Sequence, residues 1–73
     1  MALKIYRVHY KRHCTVATYD HYQDIKAVSE KMAIKKFWNY KRFPNERSNK
    51  QSMEYERNAL GFSWTDIRAE LIG

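Results

Sequence analysis

The sequence predicts an α+β fold, a small three-stranded antiparallel sheet with one main helix packed on one of its faces. Three observations predict it: a strand-like alternation near the N-terminus, a helical segment with clear start and stop signals, and a final segment that alternates again. The chain has 73 residues. A chain of this length can build one core only, so residues 1–73 are treated as a single domain.

The first predicted strand covers residues 3–10, LKIYRVHY, which are rich in β-branched and aromatic residues. Successive side chains of a strand point to opposite faces. One face then holds Tyr6, Val8 and Tyr10, and the other holds Leu3, Ile5, Arg7 and His9. If the first set faces the helix, the second lines an open face with apolar and basic side chains.

The second predicted strand is TVATYDHYQDIKA, which follows the short polar connection KRHC. A connection this short predicts an antiparallel hairpin. The alternation falters near Asp20 and His21, which suggests a bend or a bulge at these residues.

The main helix is predicted in SEKMAIKKFWNYKRFP, residues 29–44. Ser29 is a suitable N-cap, Glu30 is favourable in the first turn, and the proline after Phe43 ends the helix or turns the chain. The helical period places Ala33, Ile34 and Phe37 in the core.

Trp38 lies at the edge of this apolar arc, with Lys31, Lys35 and Arg42 as helical neighbours. Two interpretations stay open for it. The apolar neighbours predict a core residue, while the surrounding cations predict a stacking or anchoring site for a partner.

The last third of the chain is less regular. NERSNKQS is predicted to be a polar loop, and MEYERNAL a short helix that Gly61 terminates. In GFSWTDIRAELIG, a capping pattern from Ser63 to Asp66 suggests a helix, whereas Ile67, Ala69 and Leu71 alternate as in a strand. A two-stranded hairpin is poorly stable alone, so we predict a third strand and the order β-β-α-(short α)-β.

The whole chain carries a net charge of +6, and its positive charge is concentrated in the first part of the sequence. Residues 1–44 contain ten Lys and Arg against three acids, and residues 45–73 contain four against five. A localised positive field attracts nucleic acid or an acidic protein surface.

The motifs do not favour catalysis, a metal or a cofactor. His9, His13, Cys14 and His21 match no closed zinc-ligand spacing. Cys14 and His13 are adjacent in an extended segment, so their side chains point apart, and two glycines cannot form a phosphate-binding loop. We therefore expect a protein that is not an enzyme and binds no cofactor.

A single cysteine excludes an internal disulfide, and no apolar run approaches the roughly 18 residues that cross a bilayer. The N-terminal residues also lack the pattern of a signal peptide. We expect a cytoplasmic protein that does not contact a membrane.

The runs YRVHY, DIKAVSEKMAIKKFW and WTDIRAELI resemble a layout of small phage and mobile-element proteins, in which a hairpin leads through an Ala-x-Ser step into a helix and a final strand closes the sheet. The architecture is similar to that of the small phage inhibitors of bacterial RNA polymerase. The resemblance carries no motif from which a residue role can be transferred. It implies a class of effectors that bind a host protein, often one of the nucleic-acid machinery, in the host cytoplasm and change its activity without catalysis.

The first functional hypothesis is thus a phage-type effector that binds an acidic host protein through a basic aromatic surface. The residues predicted to form that surface are Arg7, Lys11, Arg12, Lys35, Lys36, Trp38, Lys41 and Arg42. The alternative is direct binding to DNA or RNA, for which the same lysines and aromatics are suited. The choice between a monomer and a homodimer formed by sheet extension stays open.

Overall fold

The structure is a computed structural model that describes residues 2–41 and 43–73. Strand β1 (Lys4–His13) and strand β2 (Thr18–Ala27) form the hairpin, and helix α1 (Glu30–Asn39) follows. Helix α2 (Asn49–Tyr55) continues into a π-helical turn (Glu56–Leu60), and strand β3 (Ser63–Leu71) closes the chain. The predicted α+β class, with a three-stranded antiparallel sheet under a main helix, is confirmed.

The sheet has the strand order β2-β1-β3, so the first strand lies in the middle. Strands β1 and β2 pair without interruption from Lys4 opposite Ala27 to His13 opposite Thr18. The predicted bulge in the second strand near Asp20 and His21 is therefore wrong. Tight pairing along the whole hairpin keeps β2 regular although its polar and apolar residues do not alternate strictly there.

The irregularity lies instead between β1 and β3, where the register shifts between His9 and Lys11. His9 pairs with Arg68 and Lys11 with Thr65, so two residues of β3 lie opposite one residue of β1. Asp66, one of the two, has a left-handed backbone with φ of 56°. This is a β-bulge, and it bends the outer edge of β3.

The core lies between the sheet and α1. Its buried side chains are Tyr6, Val8, Ile25, Ala27, Ala33 and Phe37. Tyr10, Trp38, Trp64, Ile67 and Ala69 pack against this cluster and are partly buried. Of the two faces that the alternation of β1 left open, the one with Tyr6 and Val8 faces the helix. The predicted burial of Ala33 and Phe37 is confirmed, while Ile34 is only partly buried.

Helix α1 begins as predicted, because the Ser29 side chain accepts a hydrogen bond from the Met32 backbone N–H. It ends at Asn39, before the predicted end near Phe43, since Tyr40 already has an extended backbone. Asn49 explains the early end: its side-chain amide donates to the Phe37 carbonyl at 2.7 Å, and its backbone N–H donates to the Tyr40 carbonyl at 3.0 Å. The start of α2 thus caps the end of α1.

Helix α2 starts inside the segment that was predicted to be a loop. Ser48 and Gln51 form a capping box in which each side chain bonds the backbone N–H of the other residue. The predicted termination at Gly61 is confirmed, because this glycine has φ of 72° and ends the π-helical turn. The last strand is also confirmed.

None of the helices in the described part of the chain is long and apolar enough to span a membrane.

Candidate functional site

The face of the sheet that α1 leaves uncovered carries charges that are already paired. Arg7 donates two hydrogen bonds to the Asp24 carboxylate, at 2.9 and 3.2 Å, and its guanidinium lies 4.3 Å from the centre of the Tyr22 ring. On the same face, toward strand β3, His9 Nε2 lies 2.9 Å from a Glu70 carboxylate oxygen.

These contacts have electrostatic consequences. The hydrogen bond from Arg7 lowers the pKa of Asp24, and the contact with His9 lowers the pKa of Glu70. The carboxylates are therefore held in their ionised form, and much of the positive charge on this face is compensated.

A depression of about 380 Å³ on this face, lined in part by Lys11, Asp20, Asp66 and Arg68, has the same mixed character. The ammonium of Lys11 lies 4.0 Å from the Asp66 carboxylate. Cations and acids alternate around the depression, so it offers no field of one sign to a charged partner.

On the helix side of the sheet, aromatic rings form a continuous stack across the strands and α1. Tyr10 stacks on Trp64 with 4.8 Å between ring centres, and Trp64 stacks on Trp38 at 6.2 Å. Phe37 contacts the edge of the Trp38 ring at 5.0 Å. Such pairs add stability beyond their buried area and fix the orientation of the rings.

The two tryptophans of this stack differ in their polar atoms. Trp64 Nε1 donates to the Glu56 carboxylate at 2.9 Å. Within the described part of the chain, Trp38 Nε1 has no hydrogen-bond partner, and it is not among the polar atoms sealed from solvent. Trp38 therefore presents an unpaired donor at the surface.

A groove between α1 and α2 opens beside this ring. It has a volume of about 320 Å³ and is lined by Lys35, Trp38, Asn39, Lys50 and Met53, and we name it the Trp38 groove. Lys35 and Lys50 come from different helices and are exposed, and neither forms an ion pair with any described carboxylate. The groove thus combines an aromatic and thioether lining with two uncompensated cations.

The position of the groove follows from the capping contacts described above. Asn49, which caps α1, also donates to the Gln23 side chain of β2 at 2.7 Å. These bonds fix the first turn of α2 against α1 and the sheet. Lys50, the next residue, is thereby brought beside the side chains at the C-terminal end of α1.

The predicted surface residues do not all lie together. Lys35 and Trp38 line the groove, and Lys36 is on the same helix, where its ammonium donates to the Lys26 carbonyl at 2.9 Å. Lys41 is exposed just after α1. Arg42 lies outside the described residues.

The other three predicted residues lie on strand β1, apart from the groove. Arg7 and Lys11 are on the open face, close to Asp24 and Asp66 respectively. Arg12 is on the helix side, where it pairs with the Glu56 carboxylate at 2.8 Å and lies over the Phe62 ring.

Lys50 and Met53 were not predicted as site residues, because their segment was interpreted as a loop and a weak helix. The signal that could have identified them is the pair Ser48 and Gln51, which has the spacing of a capping box. Once α2 starts at Asn49, both residues fall on one helix beside the exposed end of α1.

Among the described residues, no group of three or more His, Cys, Asp and Glu side chains is placed to hold a metal ion. Comparison with known proteins yields no matching family model, and neither curated proteins nor solved structures show significant similarity to the chain.

Proposed function

We propose that this protein is a non-enzymatic effector that binds an acidic segment of another protein through the Trp38 groove. The observation that carries the proposal is the placement of Lys35 and Lys50 on either helix of a groove whose lining includes Trp38 and Met53. Tryptophan anchors are enriched at the centre of protein interfaces, and methionine adapts to irregular apolar side chains.

The charge distribution supports this choice of surface. On the open face of the sheet, Arg7 is compensated by Asp24, and Lys11 lies near Asp66. On the helices, Lys31, Lys35 and Lys50 form no ion pair with a described carboxylate. An acidic partner gains most by approaching from the helical side, because uncompensated charges steer association.

The wider role proposed here rests on the layout resemblance to small phage effectors. In that role the partner is a host protein of the nucleic-acid machinery, with an acidic surface, and binding changes its activity in the host cytoplasm. The supporting features are the small β-β-α-β core and a binding surface that needs no catalytic group.

The test compares capture of proteins from a bacterial lysate by the wild-type protein and by two charge-matched variants. In Lys35→Gln/Lys50→Gln the groove loses both cations, and in Lys11→Gln/Arg68→Gln the open face loses two. We expect the first variant to lose a specific acidic protein that the wild type and the second variant retain. Equal capture by both variants, or no specific protein, contradicts the proposal.

A second candidate function is direct binding to nucleic acid. The observation in its favour is that Lys35 and Lys50, which form no ion pair with a described carboxylate, lie beside the Trp38 indole, whose N–H has no partner among the described residues. Lysine ammonium groups bind backbone phosphates, and aromatic rings stack on bases.

Salt dependence distinguishes the two candidates. For duplex DNA, log affinity falls with log salt by about 0.9 for each phosphate contact, so two lysines give a slope near 2. Titration of labelled duplex DNA and single-stranded RNA across a salt series measures the slope. Binding at physiological salt that the Lys35→Gln/Lys50→Gln variant loses places nucleic acid first, and absence of binding leaves the protein partner.

A further inference from the structure

The outer edge of strand β2 has the properties of a surface that pairs with a second copy of this chain. The orientation of its backbone groups can be derived from the neighbouring bonds. Ile5, opposite Lys26, makes its backbone bonds to the chain end after β3: its N–H donates to the Gly73 carbonyl at 2.7 Å, and its carbonyl accepts from Ile72 at 2.9 Å. Lys26 consequently points its own N–H and carbonyl away from β1.

The side chain of Lys36 confirms this direction, because its ammonium reaches the Lys26 carbonyl from outside the hairpin at 2.9 Å. Along an antiparallel strand, residues whose backbone groups bond the neighbouring strand alternate with residues whose backbone groups point away from it. Every second residue of β2 therefore has the same outward orientation as Lys26. These residues are Thr18, Asp20, Tyr22, Asp24 and Lys26, and all five are exposed. Their N–H and carbonyl groups form a regular row along the sheet edge.

The opposite edge of the sheet is different. Strand β3 contains the bulge at Asp66, where the backbone is left-handed and the register shifts. Bulges and twisted edges hinder pairing with another strand, whereas a long regular edge favours it. Strand β2 has ten residues in uninterrupted register, so it is the edge suited to association.

The charges along β2 select one arrangement. In an antiparallel pair of β2 strands with a twofold axis at Gln23, Asp20 of each copy lies opposite Lys26 of the other, and Tyr22 lies opposite Asp24. If the pairing register is shifted by two residues in one direction, Asp20 of one copy lies opposite Asp24 of the other. If it is shifted by two residues in the other direction, the two Asp24 residues lie opposite each other. Of these three arrangements, only the one centred on Gln23 joins opposite charges and avoids like charges.

The groups that this arrangement joins are available in the single copy. Neither Asp20 nor Lys26 forms a side-chain ion pair with another described residue. The Lys26 carbonyl already accepts one bond from Lys36, but a carbonyl oxygen has two lone pairs and can accept a second. Tyr22 is 58% exposed and becomes covered by the neighbouring strand.

We propose that the protein forms a homodimer through antiparallel pairing of two β2 strands centred on Gln23, which produces a continuous six-stranded sheet. This interface is separate from the Trp38 groove and does not depend on the proposed function. Each dimer carries two grooves on the helical side of the joined sheet.

The test uses two charge-reversal variants, Asp20→Lys and Lys26→Asp, with Arg68→Asp on strand β3 as the control. Each of the first two variants places like charges opposite each other twice in its own dimer. We expect the dimer dissociation constant of each to rise by at least about tenfold, as measured by analytical ultracentrifugation. The control is expected to dimerise like the wild type.

An equimolar mixture of Asp20→Lys and Lys26→Asp restores both opposite-charge pairs, so the mixture is expected to form a heterodimer with near wild-type affinity. This result also shows that both variants fold. A monomeric wild type at all concentrations, reversals without effect, or a mixture that stays monomeric overturns the proposal.

Amide hydrogen exchange gives a second readout. In the single copy, the N–H groups of Tyr22 and Asp24 point to solvent, so they exchange rapidly, whereas those of His21 and Gln23 are bonded to β1. Dimerisation is expected to slow exchange at Tyr22 and Asp24 as the protein concentration rises. Unchanged exchange at these two amides in a dimeric sample places the interface elsewhere and contradicts the proposal.

Discussion

Glu56 accepts a hydrogen bond from the indole nitrogen of Trp64 at 2.9 Å, and the same carboxylate oxygen accepts one from Arg12 at 2.9 Å. The side chain of Glu56 is only 16% exposed. One carboxylate of the π-helical turn thereby connects β1 and β3 and holds one member of the aromatic stack. The orientation of Trp64, against which Trp38 packs, depends on this contact.

Substitution of Glu56 by glutamine should therefore destabilise the fold. The amide can still accept from Trp64, but the partly buried Arg12 loses its counter-charge, at a cost of about 2 kcal/mol. Glu54→Gln, in the exposed part of α2, is the control and should change stability by less than about 0.5 kcal/mol. Urea denaturation measures both, and equal midpoints for the two variants would contradict the prediction.

Acid should weaken the fold through Asp24. The bond from Arg7 makes its pKa lower in the folded protein than in the unfolded chain, where it is near 3.8. The stabilisation is complete above the unfolded pKa and is lost as pH falls through the folded pKa. A double-mutant cycle of Arg7→Gln and Asp24→Asn should show favourable coupling at pH 7 that disappears well below pH 3.8. Coupling that is the same at both pH values would refute this.

Alkali should weaken the fold through Tyr10. Burial raises its pKa above the ordinary value of about 10; the positive charge of Arg12 offsets part of this rise, and the Glu56 carboxylate adds a smaller rise. A group whose folded pKa is raised stabilises the fold below the unfolded pKa, and this contribution is lost as pH rises beyond it. In an absorbance titration, the wild type should show a tyrosine phase with a pKa above the ordinary value of about 10 that is absent from Tyr10→Phe. If the late phase survives in Tyr10→Phe, that phase belongs to another residue and the prediction is wrong.

Loss of the α2 cap should affect both stability and binding. Ser48→Ala removes the hydrogen bond from the Gln51 backbone N–H and should cost about 1 kcal/mol. Ser52→Ala, inside the same helix, is the control and should be neutral or slightly stabilising because alanine favours helices. The binding proposed for the Trp38 groove should weaken only in Ser48→Ala, since the positions of Lys50 and Met53 depend on the start of α2.

Gly61 ends the π-helical turn, and Gly73 after β3 provides a matched control for its substitution. Gly61 has φ of 72° and open space around an added Cβ, so Gly61→Ala is strained by its backbone alone. The expected loss is about 1 to 2 kcal/mol. Gly73→Ala, which also meets open space and has no such φ, should leave the denaturation midpoint unchanged. Similar midpoints for the two variants would show that the turn relaxes without cost.

The elements with strong local signals were predictable from sequence. Ser29 and the apolar spacing of Ala33 and Phe37 located α1, and the alternation around Tyr6 and Val8 located β1 but left open which of its two faces is buried. The early end of α1 was not predictable, because it depends on Asn49, which is ten residues beyond Asn39 in the chain.

The candidate site was predictable only in part, for the same reason. The helical period placed Trp38 beside cations, and the structure puts Lys35 next to it. Whether a cation is compensated depends on tertiary contacts, however. Arg12 meets Glu56 across 44 positions of sequence, and a pattern within one strand does not contain that information.

The central position of β1 determines when the sheet can assemble. Its partner β3 pairs Leu71 with Tyr6, so residues from almost opposite ends of the chain must meet. Pairings this distant in sequence close late and slow the folding reaction. During synthesis only the β1–β2 hairpin can form at first, and the inner strand keeps an open edge until β3 is made. The growing chain thus exposes, on the strand that carries Tyr6 and Tyr10, the kind of edge that chaperones and aggregation both recognise.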